Sequence, residues 1–113
     1  MLKETFVKKI TNAEITAGNL QAFQFQEEAN KNNNLPHNQL TITNLNTTCK
    51  LFIFLDDVSN QDIPDYTLFP NQQFTINNEE GVSYHTIFIK NTHAVNAMNA
   101  DEIKIRISTV KEV

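Results

Sequence analysis

Short segments in which apolar and polar residues alternate fill the chain from residue 39 onward. The clearest are residues 40–43, 73–77 and 103–108, the last with three isoleucines separated by polar side chains. Because side chains on a β-strand point alternately to opposite faces, each segment gives a strand with one apolar and one polar face. Several such strands separated by turn residues predict an all-β fold, an antiparallel β-sandwich of jelly-roll or immunoglobulin-like type with about six to eight strands.

The strands predicted in this part of the chain are bounded by asparagine, aspartate and proline. Residues 49–55 have apolar side chains at both odd and even positions, so this strand is predicted to be central and covered on both faces. Pro70 closes the strand at residues 66–69 and places it at a sheet edge, because proline cannot donate to a ladder. The other predicted strands are residues 39–44, 72–77, 84–91 and 101–110. The side chains predicted to point inward are Leu40, Ile42, Leu51, Ile53, Phe74, Ile76, Ile87, Ile89, Ile103, Ile105 and Ile107.

Residues 1–38 are predicted to form an N-terminal arm and linker able to contribute strands, with residues 39–113 as the sandwich domain. The stretch at residues 18–30 fits a helix and a strand equally well, and periodicity does not decide between them. Phe23 and Phe25 stand there among polar, glutamine-rich residues. They are predicted to dock either on the sandwich itself or on a neighbouring subunit, which makes them the candidate interface residues.

Length and charge restrict the classes of partner. The 113 residues carry 9 basic and 13 acidic side chains, for a net charge of −4, and the basic residues are scattered along the chain. This argues against a nucleic-acid partner, because phosphate binding needs a clustered cationic surface. No apolar run reaches the roughly 18 residues of a membrane-spanning helix, so no membrane partner is predicted.

No residue pattern points to catalysis or to a cofactor. Residues 56–65 contain four aspartates that could meet at one end of a sandwich, but their spacing matches no calcium-binding loop. The three histidines lack zinc-ligand spacing, and neither a glycine-rich phosphate loop nor a nucleophile elbow is present. Cys49 heads an apolar run and is predicted to be a small buried side chain. The sequence therefore predicts a protein that is not an enzyme and has no metal site.

The series of alternating segments between residues 40 and 108 resembles that of small bacteriophage virion proteins with a β-sandwich fold. The segments that carry the resemblance are residues 40–44, 50–55, 68–76, 87–91 and 103–108. The resemblance implies a role in head decoration, in head–tail connection or in the tail. It also implies a homo-oligomer that binds other virion structural proteins, located in the virion after synthesis in the host cytoplasm.

Two functions are predicted from these observations. The first is a non-enzymatic structural protein of a phage-like particle that acts by symmetric subunit assembly and by binding neighbouring virion proteins. The alternative is a carbohydrate- or peptide-binding β-sandwich module that uses the Asp- and Asn-rich loops at one end of the sandwich.

Overall fold

The computed structural model describes residues 1–24 and 36–113. In these two ranges the chain forms eight β-strands and one short 3-10 helix, Asn78–Glu80. The strands are β1 (Leu2–Thr11), β2 (Leu20–Gln24), β3 (Gln39–Asn44), β4 (Leu51–Leu55), β5 (Tyr66–Leu68), β6 (Gln73–Ile76), β7 (Thr86–Asn91) and β8 (Ile103–Glu112).

The strands form two antiparallel four-stranded sheets. One sheet has the order β1-β8-β3-β6 and the other has the order β2-β7-β4-β5. From β2 onward, every strand except β5 follows a strand of the opposite sheet, so the backbone crosses repeatedly between the two layers. This is the double Greek-key order of a jelly roll. The predicted antiparallel β-sandwich is confirmed, and the strand order selects the jelly roll over the immunoglobulin-like alternative.

The hydrophobic core lies between the two sheets. Ten of the eleven side chains predicted to point inward are buried, and each contributes about 1.5–3 kcal/mol of transfer free energy. Phe74 is the exception, because it lies on edge strand β6, where it is half-buried and stacks on Tyr66 with ring centroids 5.1 Å apart. Tyr84 is also fully buried, whereas strict alternation back from Ile87 would put it on the opposite face. Strand β7 begins only at Thr86, so the alternation does not extend back to Tyr84.

Strand β4 is apolar on both faces, as predicted for a central strand. It pairs with β5 on one side and with β7 on the other. Ile53 faces the core, and Phe54, which points to the opposite face, is also buried. Cys49, just before this strand, is a buried free cysteine.

The N-terminal residues supply one edge strand to each sheet. Strand β1 pairs with β8, and β2 pairs with β7. Ile15 and Phe23 belong to the same core cluster as the side chains of residues 39–113, so residues on both sides of the predicted division at residue 38 share one core. With 2% of its surface exposed, Phe23 packs within its own chain, while Phe25 lies outside the described residues. A role of this pair at a subunit interface stays a prediction.

Strand β1 is the longest free edge of the described sheets, and its structure disfavours pairing with a further strand. A bulge interrupts its register with β8 between Glu4 and Phe6. Lys8 pairs with the buried Ile107, so this lysine lies on the core-facing side of an open edge. Bulges and inward-pointing charges are two features by which natural sheets prevent edge-to-edge association.

Candidate assembly surfaces

The jelly-roll order gathers the connections at two opposite ends of the sandwich. We call the first the asparagine end; it consists of residues 12–19, 45–50, 69–72 and 92–102. We call the second the acidic end; it consists of residues 56–65 and 77–85. At the asparagine end the neighbouring connections are joined through the backbone, for example by the 2.9 Å bond from Ile15 N to Met98 O and the 3.1 Å bond from Asn71 N to Asn46 O.

A buried amide joins two of the connections at the asparagine end. Asn44, which is fully buried, donates through Nδ2 to Cys49 O at 2.9 Å and to Phe69 O at 3.2 Å. Its Oδ1 accepts from the backbone N–H of Asn46 at 3.0 Å. One side chain thereby fixes the β3–β4 connection against the β5–β6 connection.

Asn91 and Asn12 do the same for the other two connections. Asn91 donates through Nδ2 to Ile15 O at 3.1 Å and to Asn96 O at 2.8 Å. Asn12 donates to Asn99 O at 3.0 Å and accepts from Ile103 N at 2.9 Å. An amide serves here because it is both donor and acceptor. Among the described residues no buried side-chain nitrogen or oxygen lacks a hydrogen-bond partner, so these buried amides are fully satisfied within the fold.

The aspartates at the acidic end hold backbone groups of their own chain. Asp56, at φ 65°, accepts through Oδ1 from the N–H groups of His85 at 2.9 Å and Thr86 at 2.8 Å. Asp65 accepts from Leu55 N at 2.7 Å. Asp57 is exposed, and the hydrogen bond from the Ser59 backbone lowers the pKa of Asp57. In residues 1–24 and 36–113 no group of three or more His, Cys, Asp and Glu side chains could hold a metal ion.

His37 lies in a buried aromatic setting beside the acidic end, a position that its sequence context does not reveal. Its backbone exchanges two hydrogen bonds with Tyr84, at 2.8 and 2.9 Å, and its Nδ1 lies 3.0 Å from Thr109 Oγ1. The imidazole stacks on Phe6 with ring centroids 5.1 Å apart. Burial lowers the pKa of His37 and the nearby His85 lowers it further, while Asp56 acts in the opposite direction.

The outer face of the β1-β8-β3-β6 sheet carries an open groove of about 550 Å³, which we call the cationic groove. The strand register arranges the polar side chains of the groove in two rows that cross β1, β8 and β3. Its lining residues are Lys9, Ile10, Thr11, Thr41, Thr43, Lys104, Ile105 and Arg106. Three cations that are scattered in the sequence therefore meet on one surface, and only the register reveals this.

The two rows of the cationic groove combine cations with threonines, two cations and one threonine in the first and one cation and two threonines in the second. The first row is Lys9, Arg106 and Thr41, and the second is Thr11, Lys104 and Thr43. Arg106 Nη2 contacts Glu4 Oε2 at 2.8 Å. No ion pair of Lys9 or Lys104 occurs within the described part of the chain. Thr11 Oγ1 donates to Asp101 Oδ1 at 2.7 Å, and Thr41 Oγ1 lies 3.2 Å from Thr75 Oγ1. The groove therefore has two ammonium groups and the Thr43 hydroxyl available to an anionic partner.

Comparison with known proteins identifies the fold. No protein-family model and no curated protein matches the chain. The fold is similar to that of a chain in the X-ray structure of tomato aspermy virus, with a TM-score of 0.56 and 10% sequence identity. The match covers 96% of this chain and 78% of that chain. At this identity the likeness concerns the fold alone, and the resemblance to bacteriophage virion proteins stays a prediction.

Within residues 1–24 and 36–113, no helix has both the length and the apolar character needed to cross a bilayer.

Proposed function

We propose that the protein is a non-enzymatic structural protein of a virus particle, acting by symmetric association of its own copies and by binding other virion proteins. The observation that carries the proposal is the complete jelly-roll strand order, together with the likeness to a tomato aspermy virus chain over 96% of the sequence. Jelly rolls recur in viral capsid domains, although lectins and cupins also use them. A phage-like particle, with synthesis in the host cytoplasm and a place in head, connector or tail, is the finer form of this proposal.

The surface supports assembly. The asparagine end exposes three apolar side chains on its fixed connections or beside them: Leu45 is 45% exposed, Phe69 51% and Val95 79%. Exposed apolar side chains on a rigid surface are a common feature of protein–protein contacts. Because the buried amides already fix these connections, association loses little loop entropy.

The alternative of a carbohydrate- or peptide-binding module has weaker support. It requires free Asn and Asp groups in the loops at one end. Asn44 and Asn91 use their amides on the chain's own carbonyls, and Asp56 and Asp65 hold backbone N–H groups. These polar atoms are therefore committed to the fold rather than presented to a ligand.

Sedimentation velocity from low micromolar to near-millimolar protein tests the proposal. We expect a discrete oligomer or closed particles, with particle shape read by negative-stain electron microscopy. A chain that stays monomeric at every concentration would overturn the assembly function. Saturable binding of a glycan or peptide by that monomer would favour the alternative.

A further inference from the structure

We infer that copies of this protein associate head to tail, with the acidic end of one copy seated against the cationic groove of the next. The contact presupposes the assembly function proposed above and specifies its partner, a second copy of this chain.

The groove has the chemistry of a carboxylate-binding surface. Lys9 and Arg106 are cross-strand partners, so their Cα atoms lie about 5 Å apart, and Lys104 lies two residues along the central strand. Lys9 and Lys104 are both exposed. Thr43, opposite Lys104 on the neighbouring strand, adds a hydroxyl donor, whereas the Thr11 hydroxyl on the other side donates to Asp101 Oδ1. Like charges gathered on one face attract a partner of opposite charge and repel a partner of the same charge.

The acidic end provides that opposite charge. Its two connections contain no lysine or arginine. Burial raises the pKa of Tyr66, and the charges of Glu80 and Asp65 raise it further. Carboxylates from both connections therefore lie near the same tyrosine. The carboxylates of Asp62, Glu79 and Glu80 are exposed and accept no hydrogen bond in the described structure, whereas the exposed carboxylates of Asp56, Asp57 and Asp65 also hold backbone N–H groups of their own chain.

The groove and the acidic end occupy different parts of the molecule, so contact between them is heterologous. The row of Thr11, Lys104 and Thr43 lies at the strand termini next to the asparagine end. The acidic connections lie at the opposite end of a body measuring 47 × 26 × 25 Å. A surface that binds a different surface of the next copy leaves both molecules with a free site, and the result is a closed ring or an open array.

A second copy is favoured over nucleic acid as the occupant of the groove. Three cations form a short patch, and the chain as a whole has a net charge of −4. Binding along a phosphate backbone needs an extended run of cations on a surface of favourable potential. The acidic end offers a short cluster of carboxylates, which matches the size of the patch.

A charge swap tests the contact. The groove variant is Lys9→Glu with Lys104→Glu, and the acidic-end variant is Asp62→Lys with Glu79→Lys; no side-chain hydrogen bond of these four residues is seen in the described structure. Each variant alone places like charges in contact, so its dissociation constant for assembly should rise about tenfold or more in sedimentation velocity. An equimolar mixture should assemble again, because every groove then meets an end of opposite charge.

The matched control is Lys3→Glu with Lys111→Glu. These two lysines are exposed cross-strand partners on the same two strands, β1 and β8, and lie outside the groove. The control should assemble as the natural chain does. Thermal unfolding of every variant verifies that each one folds, and added salt should weaken the natural assembly.

The outcomes separate the two proposals. A natural chain that is monomeric throughout overturns both. If assembly survives both charge reversals, only the head-to-tail contact is overturned. The same holds if each variant loses assembly and mixing the two variants does not restore it. A labelled single-stranded oligonucleotide provides a further check. The contact is also overturned if the oligonucleotide binds the natural chain but not the groove variant, while the groove variant self-assembles as the natural chain does.

Discussion

At the scale of single residues, the buried asparagines determine how the connections of the asparagine end are held. Composition alone predicts asparagine as a turn former, and Asn71 does adopt a positive φ of 59°. The buried amides of Asn12, Asn44 and Asn91 have a different function, since they bond carbonyls of distant segments. Sequence pattern could not show this, because the partner carbonyls are selected by the strand order.

Replacing Asn91 by Asp tests the importance of one of these amides. The change keeps the size of the side chain but loses the donor to Ile15 O and Asn96 O, and it puts a carboxylate beside both carbonyls. We expect the free energy of unfolding to fall by about 3 kcal/mol or more, measured by urea denaturation near neutral pH. The matched change Asn77→Asp, at an exposed position, should cost no more than about 0.5 kcal/mol. Equal losses at the two positions would contradict this role of the amide.

The lowered pKa of His37 predicts how the free energy of unfolding depends on pH. Burial lowers the pKa of His37 in the folded chain, so between that value and the unfolded value near 6.5 the unfolded chain binds more protons. The free energy of unfolding should therefore decrease as pH drops below about 6.5 and level off below the folded pKa. In His37→Gln this part of the pH dependence should disappear, as measured by urea midpoints between neutral pH and about pH 5. Identical pH profiles for the two proteins would show that His37 contributes nothing to it.

At the scale of elements, the alternating pattern locates strands but not their partners. The predicted strand at residues 39–44 has the bounds of β3, and five other predictions match strands with ends shifted by up to two residues. Alternation is a local property, so each segment reports its own strand. The pairing of β1 with β8 depends on residues about a hundred positions apart, and no local pattern encodes it. The cationic groove was missed for the same reason, because its charges come from two strands at opposite ends of the chain.

Strand β2 shows how context alters the interpretation of an aromatic side chain. Phe23 stands among polar residues in the sequence, yet it pairs with Ile87 and lies in the core. Phe23→Ala should lower the free energy of unfolding by about 3–5 kcal/mol in urea denaturation. Phe69→Ala, at a side chain that is 51% exposed, should change it by less than about 1 kcal/mol. If Phe23→Ala leaves stability unchanged and weakens only assembly, Phe23 acts at an interface after all.

At the scale of the whole molecule, the two sheets depend on one another because the chain crosses between them at almost every connection. Strand β8 pairs with both β1 and β3, so the first and last strands of the chain close the same sheet. The backbone pair of His37 and Tyr84 joins the layers at the acidic end, and the stacked pair of Tyr66 and Phe74 joins edge strands β5 and β6 along one side. Residues 1–24 therefore have no core of their own, and the cluster that contains Ile15 and Phe23 is continuous with that of the remaining strands.

This continuity predicts that the chain unfolds as one cooperative unit. Tyrosine fluorescence reports mainly on Tyr66 and Tyr84, whereas far-ultraviolet circular dichroism reports on all strands, so coincident urea transitions from the two probes would indicate a single unit. Ile105→Ala, on the central strand β8, should shift both transitions together by about 2–5 kcal/mol. A circular-dichroism transition that precedes the fluorescence transition would instead show that the N-terminal strands detach first. The predicted arm of residues 1–38 would then be a separable element of the fold.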